Sequence, residues 1–172
     1  MTKELKMENI IFIHGLESSG NGFKGQLLRK MLPGCLTPNF TPYSSEISIN
    51  TLLKNRMEQL IPILRDKEQW IIIGSSFGGL MGTLFTLEFP NHVSKLILLA
   101  PYLSSEILRF KKYSPVNVPV IIFHGKHDNI ISFKIARACA EKLFTILKYN
   151  LVDDDHLLHK TVQALNWKKI IS

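Results

Sequence analysis

Apolar residues along this chain fall into two kinds of segment that alternate. Short unbroken runs such as Ile10-Ile11-Phe12-Ile13, Trp70-Ile71-Ile72-Ile73 and Val120-Ile121-Ile122-Phe123 are separated by longer stretches with apolar positions every three to four residues. The first pattern predicts strands buried on both faces, and the second predicts helices with one apolar side. Strands are expected near 9–14, 35–39, 69–74, 95–100, 118–124 and 147–152, and helices over about 23–32, 48–65, 77–89, 103–111, 132–145 and 157–170. In the helix over 48–65, Ile49, Leu52, Leu53, Met57, Leu60 and Leu64 form the face turned to the sheet, and Pro62 is expected to bend it. Strand alternating with helix implies an α/β fold: a three-layer sandwich around a mainly parallel sheet of about six strands. No repeat or linker divides it, so residues 1–172 read as one domain. Pro101, Pro115 and Pro119 bracket a short connection, about 102–117, where a flap could sit.

Composition narrows the class. With 172 residues, 45% of them hydrophobic and 20% charged, the chain is an ordinary folded domain rather than a disordered one. At this size about 70% of the unfolded surface can be buried, a core that needs no covalent staples. The two cysteines, Cys35 and Cys139, lie far apart in no metal-binding spacing and are read as reduced apolar residues. The opening MTKELKMENIIFIHG has four apolar residues together, too few for a signal segment or a span, so a cytoplasmic location without stable membrane insertion is expected. A net charge of +7 raises the question of nucleic acid, but the basic residues are spread from Lys3 to Lys169 and no nucleic-acid recognition motif accompanies them. No nucleic-acid partner is expected.

Chemistry concentrates where the run Trp70 to Ile73 ends, in Gly74-Ser75-Ser76-Phe77-Gly78-Gly79. A glycine-rich strand-to-helix turn can cradle a phosphate, let two elements pack closely, or hold a strained serine. The phosphate loop needs lysine and a hydroxyl after its last glycine, and Gly15 to Gly20 is followed instead by Asn21 and Gly22. Gly74-Ser75-Ser76-Phe77-Gly78 does match Gly-x-Ser-x-Gly, which makes Ser76 a candidate nucleophile; Ser75 would need glycine at Ile73 and Phe77. A serine needs a base, and the base needs an orienting carboxylate. Asp128 follows the run ending at Phe123, and His156 lies in the loop after Tyr149 to Val152.

In chain order Ser76, Asp128 and His156, with an early strand ending in His14-Gly15, resemble the α/β-hydrolase superfamily, and among its members the small cap-poor bacterial serine esterases. That resemblance implies backbone amides of Leu16 and Phe77 as an oxyanion hole. Larger relatives begin with an extra hairpin before the oxyanion strand and often carry a long cap after the strand at 95–100; here the oxyanion strand is expected to come first, with fewer than twenty residues for a cap. It implies a serine esterase acting on small-molecule carboxylic esters without cofactor or metal. Thioesterase and lactonase chemistry use the same triad, and a non-catalytic binding module of this fold is the reading from another class.

His159 is the other base candidate but falls inside the last helix, Glu106 is the reserve acid, and Asp128 could be only a turn or cap residue. His124 and His127 are expected to shape the Asp128 loop, His14 to order the backbone of its own loop, and His92 to lie on the surface. In the flap, Ile107, Leu108 and Phe110 are candidates for the substrate pocket. Beyond them Arg109, Lys111 and Lys112 could form a basic rim favouring anionic substrates.

Overall fold

The computed structural model describes residues 9–110 and 113–172, the side chains of residues 109 and 110 excepted. Five strands, β1 (Asn9–Ile13), β2 (Trp70–Ser75), β3 (Val93–Leu99), β4 (Val120–Gly125) and β5 (Leu147–Val152), form one sheet in the order β1-β2-β3-β4-β5. Every neighbouring pair is parallel. The helices are α1 (Phe23–Met31), α2 (Ile49–Arg65), α3 (Phe77–Glu88), α4 (Glu106–Phe110), α5 (Phe133–Leu143), α6 (His159–Ala164) and α7 (Trp167–Ile171).

The unbroken apolar runs are explained by cover on both faces. Ile11, Ile13, Ile72, Leu96, Leu98 and Ile122 pack against α2, α3 and α5. Their neighbours Ile10, Phe12, Ile71, Ile73, Ile97 and Leu99 pack against α1, α6 and α7. Strand side chains alternate between faces, so each run must be apolar at every position. At the edge, β5 is only half buried and places Lys148 and Asn150 in its pattern, which discourages further pairing.

Three elements depart from expectation for local reasons. Around residues 35–39 only Leu36 pairs, accepting from the Phe12 amide at 2.8 Å and donating to the Ile10 carbonyl at 2.9 Å. Pro38 has no N–H to continue the ladder. The expected C-terminal helix is split into α6 and α7, because Leu165 is extended and the Asn166 side chain accepts from the Lys169 amide, starting a new helix. On α2, which runs unbroken across Pro62, Ile49 is exposed while Arg56 is fully buried on the apolar face. The flap is small: Leu103 and Leu108 are buried in the α2/α3/α5 layer, with Ile107 packed beside them.

Both cysteines are free thiols, and burial pushes that of Cys35 up to about 12. No helix among the described residues is long and apolar enough to cross a membrane.

Candidate active site

At the C-terminal end of β2 the chain turns at once into α3, and Ser76 stands on the turn with φ 52° and ψ −112°. A positive φ in a residue with a Cβ is strained and persists only when the surroundings hold it. Here the Ser76 amide donates to the Leu99 carbonyl at 2.9 Å, and the Ser76 carbonyl accepts from Gly79, Leu80 and Tyr102 amides at 3.0, 3.2 and 3.0 Å. Two glycines make the turn sterically possible. A Cβ on Gly74 would lie 2.6 Å from the Gly78 carbonyl oxygen, and one on Gly78 would overlap the backbone of Ile13 and His14 in β1 and the residue after it.

Asp128 sits in the loop after β4. Its Oδ1 accepts from the Ile130 and Ile131 amides at 2.9 and 2.8 Å, which turns Oδ2 towards His156 Nδ1 at 2.7 Å. The other imidazole nitrogen, Nε2, is 3.1 Å from Ser76 Oγ. Nδ1 therefore carries the proton donated to Asp128, and Nε2 is left to accept from the serine. Burial pushes the Asp128 carboxyl up, but the Ile131 amide, His156 and the Ile130 amide outweigh it and hold it below its ordinary value.

Gly125 brings the last two loops together. A Cβ there would clash with the carbonyls of Asp154 and Asp155, so the β4 and β5 loops meet only because it is absent. In the second loop Asp155 Oδ1 accepts from the Leu157 and Leu158 amides at 2.9 and 3.3 Å, while Asp154 Oδ2 accepts from the Thr161 amide and hydroxyl. These bonds set the direction of His156. His159 begins α6, three residues on, and packs against the Phe23 ring, centroids 4.1 Å apart and planes tilted by 37°.

Around this relay lie further polar groups, of which the sequence pattern singled out His124, His127 and His14 but not Tyr149 or Arg56. His124 Nε2 lies 3.0 Å from Asp128 Oδ2 and 3.1 Å from the Ile131 carbonyl; both are acceptors, so that nitrogen holds the proton. Its Nδ1 meets the Tyr149 hydroxyl at 2.8 Å. His127 instead pairs with Asp153 in solvent. His14 is fully buried, with Nδ1 donating to the Gly15 carbonyl at 2.8 Å and Nε2 accepting from the Phe40 amide. Burial lowers its pKa, so it is a neutral brace for the loop.

Arg56 has the largest reach. From the apolar face of α2, Nε donates to the Thr41 carbonyl at 2.8 Å and the two terminal nitrogens donate to the Gly15 and Leu16 carbonyls at 3.2 and 2.8 Å. The guanidinium carbon also lies 5.4 Å from the centre of the Phe77 ring. Burying a cation without a carboxylate costs several kcal/mol. On the same helix Leu52, Leu53, Leu60 and Leu64 are buried and offset that cost, each contributing about 1.5–3 kcal/mol. The signal for Arg56 was in its spacing, four residues from both Leu52 and Leu60.

Ser76 and His156 open into a cavity of about 520 Å³ whose wall includes Leu16, Phe23, Lys24, Ile130 and Leu157. That is within the size range of small-molecule sites. Ile107 and Leu108 do not line it, since both are satisfied in the core. The side chains of Arg109 and Phe110, and residues Lys111 and Lys112 altogether, lie outside what the structure describes. Glu106 begins α4, exposed and bonded to none of these groups. Among the described residues no three His, Cys, Asp or Glu side chains are grouped as metal ligands.

Fold and relay together suggest a hydrolase, and the sequence model of the phospholipase/carboxylesterase family matches residues 43–165. The chain belongs to the phospholipase/carboxylesterase family. The match takes in Ser76, Asp128 and His156 of this hydrolase and stops short of the His14 loop. Among curated proteins, none matches this family member. Solved structures show the same fold at low identity. A protein of Xanthomonas campestris pv. campestris assigned to the α/β-hydrolase superfamily has a TM-score of 0.80 at 24% identity, over 96% of this chain and 97% of its own. An α/β serine hydrolase homologue from Coxiella burnetii reaches 0.73 at 18% identity, covering 96% of this hydrolase and 84% of its own chain. Est1E of Butyrivibrio proteoclasticus, solved with ferulic acid, reaches 0.69 at 15% identity over 100% and 94%.

Proposed function

We propose that this hydrolase is a serine esterase that cleaves small carboxylic esters through an acyl-enzyme intermediate. The observation that carries the reading is the unbroken relay from Asp128 through His156 to Ser76, 2.7 and 3.1 Å long, opening into the cavity. In the first step His156 Nε2 takes the hydroxyl proton as Ser76 Oγ attacks the ester carbonyl. Asp128, kept ionised by its amide bonds, holds the imidazole tautomer and balances the imidazolium that forms.

The developing oxyanion needs donors aimed at it. The amides of Leu16 and Phe77 suit that role, because neither donates to any acceptor among the described residues. Phe77 is also the first residue of α3, where the helix dipole favours negative charge. Arg56 holds the carbonyl oxygens of Gly15 and Leu16 on one side of the loop, which leaves the Leu16 amide to the other. Collapse of the tetrahedral intermediate expels the alcohol, which takes the proton from His156. Water then attacks the acyl-enzyme by the same steps in reverse order, with His156 as its base.

Ser76→Ala tests the nucleophile directly. The variant is expected to lose fluorophosphonate labelling and ester hydrolysis while keeping the wild-type circular dichroism spectrum. Labelling that survives the substitution would remove Ser76 from the mechanism. A panel of alkyl esters, thioesters and lactones run beside it identifies the preferred acyl bond.

A further inference from the structure

We propose that the cavity selects esters carrying an anionic group, a carboxylate or a phosphate, beside the scissile bond, and that the Lys24 ammonium binds it; this rests on the serine esterase reading. Lys24 lines the cavity shared by Ser76 and His156 and is only partly exposed. A surface lysine normally extends its charged end into water or towards a carboxylate. Among the described residues, Lys24 has no ion pair within 4.0 Å and no side-chain hydrogen bond.

Its surroundings make the cation harder to hold. Lys24 is in the first turn of α1, where the helix dipole disfavours positive charge; no acidic residue stands in that turn, and Gly22 offers no capping side chain. Asp155 and Asp154 act on the ammonium only from a distance, with Asp155 Oδ1 taken by the Leu157 and Leu158 amides and Asp154 Oδ2 by Thr161. Glu17, on the same cavity, is exposed, so solvent and salt screen it. Burial pulls the lysine down to about 8, against the raising influence of Asp155 and Asp154. Besides Glu17, the polar side chains on the cavity wall are those of Ser18, Ser75, Ser76, His156 and His159, and none of them pairs with the ammonium, so a direct counter-charge is one a ligand can supply.

Two substrate pairs test this, one for each side of the ester. On the acyl side, 4-nitrophenyl hemisuccinate is compared with 4-nitrophenyl pentanoate; on the alcohol side, butyryl glycerol 3-phosphate is compared with monobutyrin. In one pair the wild-type kcat/KM ratio of anionic to neutral ester should exceed that of Lys24→Met by about tenfold or more, a single charge-assisted contact. Lys24→Arg should keep the preference and Lys24→Glu should invert it. The wild-type preference should also fade as pH rises past about 8, and that pH dependence should vanish in Lys24→Met. Melting curves establish that the variants fold, and Lys24→Gln replaces Lys24→Met if the latter does not. Equal ratios in wild type and Lys24→Met for both pairs would overturn the proposal, with the esterase reading left standing by turnover of the neutral esters. Absence of fluorophosphonate labelling and of turnover on every ester would overturn both.

Discussion

His156 and His159 are three residues apart and both line the cavity, yet only His156 is hydrogen-bonded to a serine and a carboxylate. His159 is instead packed against the Phe23 ring. His156→Ala should therefore lower kcat by on the order of 10⁴, and His159→Ala by less than about tenfold, read in steady-state kinetics on a short-chain ester. Reversed losses would move the base to His159. Asp128 makes a separate prediction through linkage. Its native carboxyl is held below the ordinary value, so its ionised form stabilises the fold above the unfolded pKa of about 3.9 and that contribution is lost as pH falls through the native value. Asp128→Asn should be less stable than wild type at pH 7, with a gap that narrows at pH 3. Urea midpoints at the two pH values measure it, and a constant gap would show that the charge adds nothing.

At the scale of elements, the site is built where α2, α3 and the loop after β1 meet. Arg56 ties α2 to that loop through Gly15 and Leu16 and faces the Phe77 ring at the start of α3. Lysine at this position keeps a positive charge but cannot reproduce the guanidinium fork that serves three carbonyls. With the Leu16 amide in its proposed oxyanion role, needed more in the transition state than in the ground state, Arg56→Lys is expected to lower kcat by about 10–100-fold with little change in KM. A rise in KM at constant kcat would mean that Arg56 shapes substrate binding instead. Close packing of α3 against the sheet has the same function as the Arg56 tie. Gly78 lets the helix start against the backbone of Ile13 and His14, which is what places Ser76 beside the His14 loop.

For the whole molecule, the open cavity bounds the substrate. With Leu103 and Leu108 drawn into the core, the segment after β3 adds no described wall above Ser76, and the apolar side chains at the mouth, Ile130 and Leu157, are exposed. Each added CH₂ gains about 0.8 kcal/mol only while it finds wall to cover it. The kcat/KM for 4-nitrophenyl esters should therefore climb to an acyl length of about eight carbons and then level off. A rate still rising at sixteen carbons would show a longer channel.

Much of this protein was legible in the linear pattern. Unbroken apolar runs alternating with amphipathic stretches determined a parallel sheet covered on both sides, because only that arrangement buries every residue of a run. Gly74, Ser76 and Gly78 marked the strained turn, since its sterics act over a few neighbouring residues and so must be met by their types. The positions of Asp128 and His156 after successive runs placed both at the C-terminal ends of the parallel strands. Tertiary structure alone decided which groups meet there. Leu108 goes to the core and not to the pocket because the core offers it a complete apolar environment. Tyr149 reaches His124, and Arg56 reaches the loop forty residues before it, through contacts that no local spacing encodes. The sequence wrote the elements because their causes are local and periodic; the fold chose the partners of buried polar groups because those depend on distances between separate elements.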